Sequence, residues 1–213
     1  MPPEPKYTRQ DIIQAAYDIV KEQGIEAVAA RAVGKRLGTT STPIFTYFNG
    51  MDELKEAVYQ KALNESITYF GGCMDYEPAF KEFGMRWIRY AKKNPNFYKL
   101  VYMTERGNHN ETDYVNDDLI PILESMESEV MKTFGIRLDS ARKLIKEMCI
   151  HVQGVASICM RKDIDYDENN ICESLGRVCI SLVVGMKLQE KSIDEQQARR
   201  MLAQATWMPQ KKV

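Results

Sequence analysis

The sequence contains no apolar run of the roughly 18 residues that a helix needs to cross a bilayer. The segment after Met1 is rich in proline and charge and has no apolar core of a secretory signal peptide. We therefore expect a cytoplasmic protein without a membrane partner. With 213 residues, of which 44% are hydrophobic, the chain is long enough to bury one large core or two smaller ones.

A general excess of positive charge is also missing, because 29 basic and 30 acidic residues leave a net charge of −1. A nucleic acid would therefore have to bind a local basic patch. The five cysteines include no Cys-x-x-Cys pair. Cysteines of this kind in a cytoplasmic chain are usually reduced and buried, and a redox switch is the alternative.

Signatures of common enzymes and metal sites are incomplete. The chain has two histidines, no Ser-His-Asp or Cys-His motif and no glycine-rich phosphate loop. His109-Asn-Glu111 lacks the Pro-Cys-x-x-Cys half of a zinc deaminase motif. The acidic run 163–167 resembles a calcium loop, but Glu168 stands where that loop needs glycine. We expect no enzyme, metal or cofactor, and a helical-bundle enzyme with an unrecognised site is the alternative.

Apolar residues recur at helical spacing, which predicts an all-α fold of about nine or ten helices. Thr8 and Asp11 have the spacing of a capping box for the first helix, which ends at Gly24. Short helices are predicted at about 30–37 and from just after Thr40 to near Asn49, and Asp52 and Glu53 suit the N-terminal end of a fourth helix. Later helices are predicted over 78–93, 96–103, 114–134, 139–161, 169–189 and 194–205.

The stretch from Gly24 to Leu54 combines a tight turn with local positive charge. Gly38 allows a sharp turn between the second and third helices, as a helix-turn-helix requires. Three basic residues lie close to it, namely Arg31, Lys35 and Arg36. The third helix opens with small hydroxyl side chains, which can approach base edges or phosphates closely. These features predict a DNA-reading element.

Residues 8–54 resemble the DNA-binding domain of the TetR (tetracycline repressor) family of regulators. The matching segments are Arg31-Ala-Val33-Gly34, Leu37-Gly38-Thr39-Thr40, Thr42-Pro-Ile44-Phe45-Thr-Tyr47-Phe48 and Met51-Asp-Glu-Leu54. The resemblance implies an N-terminal helix-turn-helix domain over 1–50. It also implies a C-terminal domain over 51–213 that binds an effector and forms a homodimer.

The same resemblance assigns DNA-binding roles. It places the third helix in the major groove, with base-facing candidates Ser41, Thr42 and Thr46. The phosphate candidates are Arg31, Thr40 and Tyr47, supported by Lys35, Arg36, Lys6 and Arg9. Ala29 stands where the family often has a capping threonine, and Phe45 and Met51 replace a tyrosine and a lysine that often contact phosphate. An adaptor or ligand-binding protein that has lost DNA binding is therefore the alternative.

The middle helices are rich in methionine and aromatic residues, which suit an adaptable apolar pocket. The effector-binding candidates are Trp87, Tyr90, Tyr102, Met103, Met126, Met148 and His151, and ordinary core packing is the alternative for each. The predicted helix 169–189 is apolar on more than one side. Glycines 154, 176 and 185 within helical patterns favour close helix packing. These features predict contact with a second copy, or alternatively an intrachain core.

The sequence therefore predicts a sequence-specific, homodimeric transcription regulator. We expect a repressor that a small-molecule effector releases from a double-stranded DNA operator. The effector would shift the population toward a spacing of the two reading heads that no longer matches successive major grooves.

Overall fold

The structure, a computed structural model, describes residues 6–104, 117–161, 163–165, 167–203 and 210–211. These residues form eleven α-helices and two two-residue strands, so the all-α prediction is confirmed. The helices are α1 (Arg9–Gln23), α2 (Ala30–Leu37), α3 (Thr42–Tyr47), α4 (Met51–Gly71), α5 (Ala79–Lys93), α6 (Pro95–Tyr102), α7 (Ile120–Ser125), α8 (Glu127–Phe134), α9 (Leu138–Cys159), α10 (Glu168–Gln189) and α11 (Glu195–Ala203). The strands β1 (Tyr76–Glu77) and β2 (Gln210–Lys211) pair antiparallel.

The extra helix arises in the segment 114–134, which the periodicity predicts as one helix. A 3-10 turn over Asp117–Leu119 precedes α7, and Pro121 lies in the first turn of α7. Proline has no N–H to continue a helix from the residues before it, so a new helix begins there. A second break follows at Met126, whose N–H donates to Leu123 three residues back at 3.1 Å. Residues 114–116 lie outside the described residues.

The chain divides into two compact units. One covers Met1–Ser66 with Asn94–Gly107, and the other covers Ile67–Lys93 with Asn108–Val213. The predicted division after residue 50 falls just before α4 begins, inside the first unit. As a division of function, it stays a prediction.

No helix in the described part of the chain is long and apolar enough to cross a membrane.

The first unit is built on a well-capped α1. The Thr8 hydroxyl accepts the N–H of Asp11, whose carboxylate accepts the N–H of Thr8 at 2.8 Å, so the predicted capping box is present. The pKa of Asp11 is lowered by the Thr8 N–H and by the Thr8 hydroxyl, which both donate to its carboxylate. The Tyr17 ring stacks on Phe97 of α6 with centroids 4.3 Å apart. The core of this unit includes Ile12, Ala16, Ile19, Val20, Val33, Ile44, Phe48, Leu54 and Val58.

In the second unit, α5 packs closely against α9. A Cβ atom added at Gly84 would lie 3.3 Å from Val152 Cγ2, so the absence of a side chain lets the two helices approach. The start of α5 is capped from α8, because the Glu129 carboxylate accepts the N–H groups of Ala79 and Phe80 at 2.9 and 3.2 Å. These contacts fix the position of the N-terminal half of α5.

Candidate nucleic-acid interface and apolar cavity

The turn between α2 and α3 depends on two glycines. Gly38 ends α2 with φ +69°, a left-handed conformation that favours glycine. Thr39 N–H donates to the Gly34 carbonyl at 2.9 Å, and a Cβ atom at Gly34 would lie 2.7 Å from the Thr40 carbonyl oxygen. Sequence reasoning identified Gly38 and missed Gly34. The sequence does hold a signal for Gly34, because a glycine inside a helical segment lowers the stability of the helix and therefore calls for a packing reason.

One face of α3 is open to solvent. Thr42, Phe45 and Thr46 are exposed, and their spacing of three and four residues places them side by side. Ile44 and Phe48 are buried on the opposite side. The structure thus brings two predicted base-facing residues together and adds Phe45, whose ring is 54% exposed. The third, Ser41, is partly buried at the start of the helix.

The basic residues of α2 and Arg9 of α1 differ in the contacts that their side chains make. Arg31 and Lys35, one turn apart on α2, are exposed and have no ion-pair partner among the described residues. Arg36 is paired instead, with its Nη2 2.6 Å from both carboxylate oxygens of Glu22 in α1. The Arg9 guanidinium lies 4.7 Å from the centre of the Phe48 ring. Because α3 carries no charged residue, the positive charge of the α2–α3 pair lies entirely on α2.

Hydroxyl groups predicted to contact phosphate form hydrogen bonds inside the domain. The Tyr47 hydroxyl donates to the Tyr7 carbonyl oxygen at 2.9 Å, and the Tyr7 hydroxyl donates to the Leu37 carbonyl oxygen at 2.7 Å. Thr40 Oγ1 donates to Thr42 Oγ1 at 3.2 Å and accepts the N–H of Thr42 at 3.4 Å. Tyr7 therefore connects the ends of α2 and α3, and the phosphate roles of Thr40 and Tyr47 stay predictions.

The departures from the TetR pattern have visible structural effects. Ala29 occupies the N-cap position of α2 in extended backbone geometry, without a side-chain hydrogen bond to the helix. The N–H groups of the first turn of α2 therefore have no side-chain acceptor at that cap. Met51 is partly buried at the first position of α4.

An apolar cavity of about 40 Å³ lies within the second unit, between α5, α9 and α10. Its walls are formed by Phe80, Lys81, Phe83, Gly84, Met85, Trp87, Met148, Cys149, Val152, Cys172, Leu175, Gly176 and Cys179. Of the predicted effector-binding set, Trp87 and Met148 line it. The cavity is far smaller than the about 300–1,000 Å³ of an ordinary ligand pocket. A ligand larger than a few atoms would need the helices to move apart.

The other effector-binding candidates lie elsewhere. Tyr102 and Met103 belong to the first unit, where the Tyr102 hydroxyl lies 2.6 Å from Ser66 Oγ and Met103 is 51% exposed. Met126 is fully buried, and the Nε2 atom of His151 is buried without a hydrogen-bond partner in the described structure. Tyr90 packs edge-on against Phe70 with centroids 5.3 Å apart. The structure does not gather these residues around the cavity, and their effector roles stay predictions.

Burial shifts the pKa values of the titratable groups that line the cavity. Burial lowers the pKa of Lys81 to about 7. It raises the pKa of Cys149 and of Cys179 to about 12, and it also raises the pKa of Cys172. All five cysteines are free thiols. No cluster of three or more His, Cys, Asp or Glu side chains able to hold a metal occurs among the described residues, and His109 and Glu111 lie outside them.

Two glycines predicted to permit close helix packing lie in open space within the chain. A Cβ atom at Gly154 of α9 or at Gly185 of α10 would have no neighbour within 4 Å. Three large aliphatic side chains on the same two helices are exposed by 44%, 46% and 41%, namely Ile150, Ile158 and Leu188. Gly176, by contrast, is buried at the cavity. Packing within the described part of the chain therefore does not account for Gly154 or Gly185.

Comparison with known proteins gives one family model that matches the N-terminal helices and curated relatives that match longer stretches of the chain. Residues 12–58 match the model of the family described as bacterial regulatory proteins, tetR family. The HTH-type transcriptional repressor Rv1353c of Mycobacterium tuberculosis is 22% identical over 154 residues, which cover 68% of this chain and 54% of that protein. The uncharacterized HTH-type transcriptional regulator YobS of Bacillus subtilis is 20% identical over 127 residues, covering 56% and 63% respectively. The chain thus spans less than two thirds of the length of these relatives.

Proposed function

We propose that this chain, a member of the TetR family by its N-terminal DNA-binding domain, is a repressor that a small-molecule effector releases from operator DNA. The observation that carries the proposal is the open face of α3, in a domain that matches the family model and whose preceding helix exposes Arg31 and Lys35, which have no ion-pair partner among the described residues. The name of the mycobacterial relative supports the repressor role.

In the proposed complex, α3 enters the major groove. The hydroxyls of Thr42 and Thr46 lie on its open face, where they can donate to or accept from base edges. Arg31 and Lys35, which are exposed on α2, are the proposed phosphate contacts, which position the domain without reading sequence. Arg36 holds α1 and α2 together through Glu22 and contributes to DNA affinity mainly through its charge.

A second copy of the chain is the proposed partner of α9 and α10. Exposed aliphatic side chains next to glycines that leave open space form a surface into which another helix can pack closely. Gly154→Arg would fill that space with a charged side chain and should convert a dimer into a monomer in light scattering. Ser128→Arg on the exposed side of α8 is the matched control. A wild-type chain that is monomeric at micromolar concentration contradicts this part of the proposal.

The proposed test of DNA binding uses duplex DNA from the region upstream of the protein's own gene. Removing two phosphate contacts from each reading head should weaken binding to all sequences alike. It should also reduce the salt slope of log K by about 4 per dimer, at about 0.9 for each phosphate contact. The variant is Arg31→Gln with Lys35→Gln, and the control is Lys132→Gln in the second unit.

A helical adaptor without DNA binding is the second candidate, and the exposed Phe45 ring favours it. An aromatic side chain in the open is a common anchor for a protein partner. The two candidates differ at low salt, where the regulator binds duplex DNA and the adaptor does not. An unchanged salt slope in the Arg31 and Lys35 variant would likewise contradict the proposed interface.

A further inference from the structure

We propose that the apolar cavity of the second unit captures a short-chain aldehyde by forming an imine with Nζ of Lys81. The assignment of this aldehyde as the effector rests on the proposed function, whereas the capture itself does not. The inference follows from where Lys81 lies, which other nucleophiles surround it, and which ligands the walls can satisfy.

Lys81 lies on the buried side of α5 and is 9% exposed. Its neighbours in the cavity wall are mainly hydrocarbon, from Phe80, Phe83, Trp87, Val152 and Leu175. A charged ammonium in such surroundings is costly, so burial favours the neutral amine. The titratable groups that act on Lys81 are Cys172, Cys179 and Glu129.

Burial shifts the pKa values of the two kinds of nucleophile in the cavity, thiol and amine, in opposite directions. It raises the pKa of Cys149 and Cys179 to about 12, so these thiols remain protonated and weakly nucleophilic near neutral pH. It lowers the pKa of Lys81 to about 7, so a large fraction of this amine is in its neutral, nucleophilic form near pH 7. The cavity therefore favours reaction with a carbonyl group at nitrogen over alkylation at sulfur.

The walls also restrict the ligand. A carboxylate needs several hydrogen-bond donors once it is desolvated, and of the lining side chains Lys81 is the one that carries a cationic group. An aldehyde has a single polar oxygen, which leaves as water. The volume of about 40 Å³ exceeds the about 10–15 Å³ that one water occupies and suits a short aliphatic chain.

The reaction needs no oxidant or reductant. The Nζ lone pair attacks the carbonyl carbon, the C–N bond forms, and the carbonyl electron pair moves to oxygen, which takes up a proton. The carbinolamine then loses this oxygen as water while nitrogen gives up its remaining hydrogen and the C=N bond forms. An aldehyde and an amine thus become an imine and one water.

Imine formation would add carbon atoms to a site with little spare room. Gly84 of α5 already approaches Val152 of α9 to a distance that a Cβ atom would reduce to 3.3 Å. The added chain would therefore displace α9 or α10 from α5. Because these two helices carry the proposed dimer surface, capture would change the relative position of the two subunits.

The test is reductive trapping on the full chain. The protein is incubated at pH 7 with limiting propanal and sodium cyanoborohydride, and modified peptides are mapped by mass spectrometry. Lys81 should be propylated at least tenfold faster than Lys92 and Lys93, which are exposed on the same helix. Labelling of Lys81 no faster than that of Lys92 and Lys93 overturns the proposal.

Two variants separate the aldehyde site from the proposed function. Lys81→Met, with its fold checked by thermal unfolding, should bind DNA but lose any change in DNA affinity caused by propanal. Lys92→Met should behave as wild type. A chain that is labelled at Lys81 but binds no DNA retains the site and contradicts the proposed function. A chain that binds DNA but shows no selective labelling contradicts the site alone.

Discussion

Nη2 of Arg36 in α2 lies 2.6 Å from both carboxylate oxygens of Glu22 in α1. This ion pair joins α2, the helix that precedes α3, to α1. Its side chains are partly exposed, 31% for Arg36 and 53% for Glu22, so its contribution to folding is limited to about 0–1 kcal/mol. The larger consequence concerns DNA, because the carboxylate offsets a positive charge next to the proposed interface.

Glu22→Gln should therefore raise DNA affinity severalfold at low salt, with a change in unfolding free energy of no more than about 1 kcal/mol. The measurement is a DNA-binding titration at two salt concentrations. Glu26→Gln is the matched control, because this exposed carboxylate forms no ion pair in the described structure. An equal gain in both variants would show that net charge, and not release of Arg36, is responsible.

Tyr47→Phe removes the hydroxyl that donates to the Tyr7 carbonyl oxygen. We expect a loss of about 1 kcal/mol in unfolding free energy and weaker binding to all DNA sequences alike. The measurements are chemical denaturation and titration against several unrelated duplexes. A change in sequence preference would argue that Tyr47 contacts a base.

The exposed Phe45 predicts an apolar contact in the major groove, where the thymine methyl group is the apolar feature that a side chain can reach. Replacing a contacted thymine by deoxyuracil should weaken wild-type binding about fourfold, which corresponds to about 0.8 kcal/mol for one buried methyl group. The same replacement should leave the affinity of Phe45→Ala unchanged. Duplexes selected from a random library provide the sites, and equal losses for both proteins would refute the contact.

The empty cap of α2 predicts a stabilising substitution. Ala29 has the extended backbone geometry of an N-cap residue, so a hydroxyl placed there can accept an N–H of the first turn. Ala29→Thr should raise the unfolding free energy by about 1 kcal/mol in chemical denaturation. Ala29→Val, which has the same shape without the hydroxyl, should not.

Much of the fold could be predicted from local patterns. The capping box at Thr8 and the periodic apolar residues after it predicted α1, and the spacing around Gly38 predicted α2 with its turn. The break inside 114–134 escaped prediction because its apolar period continues through Pro121 and Met126, and backbone geometry there overrides periodicity. Gly34 escaped because its reason is a backbone atom six residues away in the sequence.

The candidate site could be predicted in type more than in detail. The sequence placed hydroxyls on α3 and positive charge on α2, but pairing of Arg36 with Glu22 depends on how α1 packs. Aromatic and methionine content predicted an apolar pocket, and two of seven candidate residues line the cavity that the structure contains. The place of Lys81 in the cavity wall was missed, because the sequence around a lysine does not reveal whether its side chain is buried.

The buried Lys81 also predicts a pH dependence of stability. Burial lowers the pKa of Lys81 in the folded chain to about 7, from an ordinary value of 10.5. Between about pH 7 and pH 10.5, the unfolded state therefore binds more protons at this residue than the folded state does. Stability should therefore rise with pH across this window, as far as Lys81 contributes. Lys81→Met should be the more stable protein at pH 7, by on the order of 4 kcal/mol, and the difference should narrow toward pH 10.5. Denaturation of both proteins across this pH range measures it, with Lys92→Met as control.

Tyr7 has a practical consequence for anyone who prepares this protein. Its carbonyl oxygen accepts the Tyr47 hydroxyl and its own hydroxyl donates to the last carbonyl of α2, so a single residue before α1 connects the ends of α2 and α3. Proteolytic removal of the residues before Thr8 would leave the described helices in the chain but would remove both hydrogen bonds of Tyr7. Samples with a normal helical spectrum could then differ in DNA affinity, so intact mass should be checked before binding results are compared.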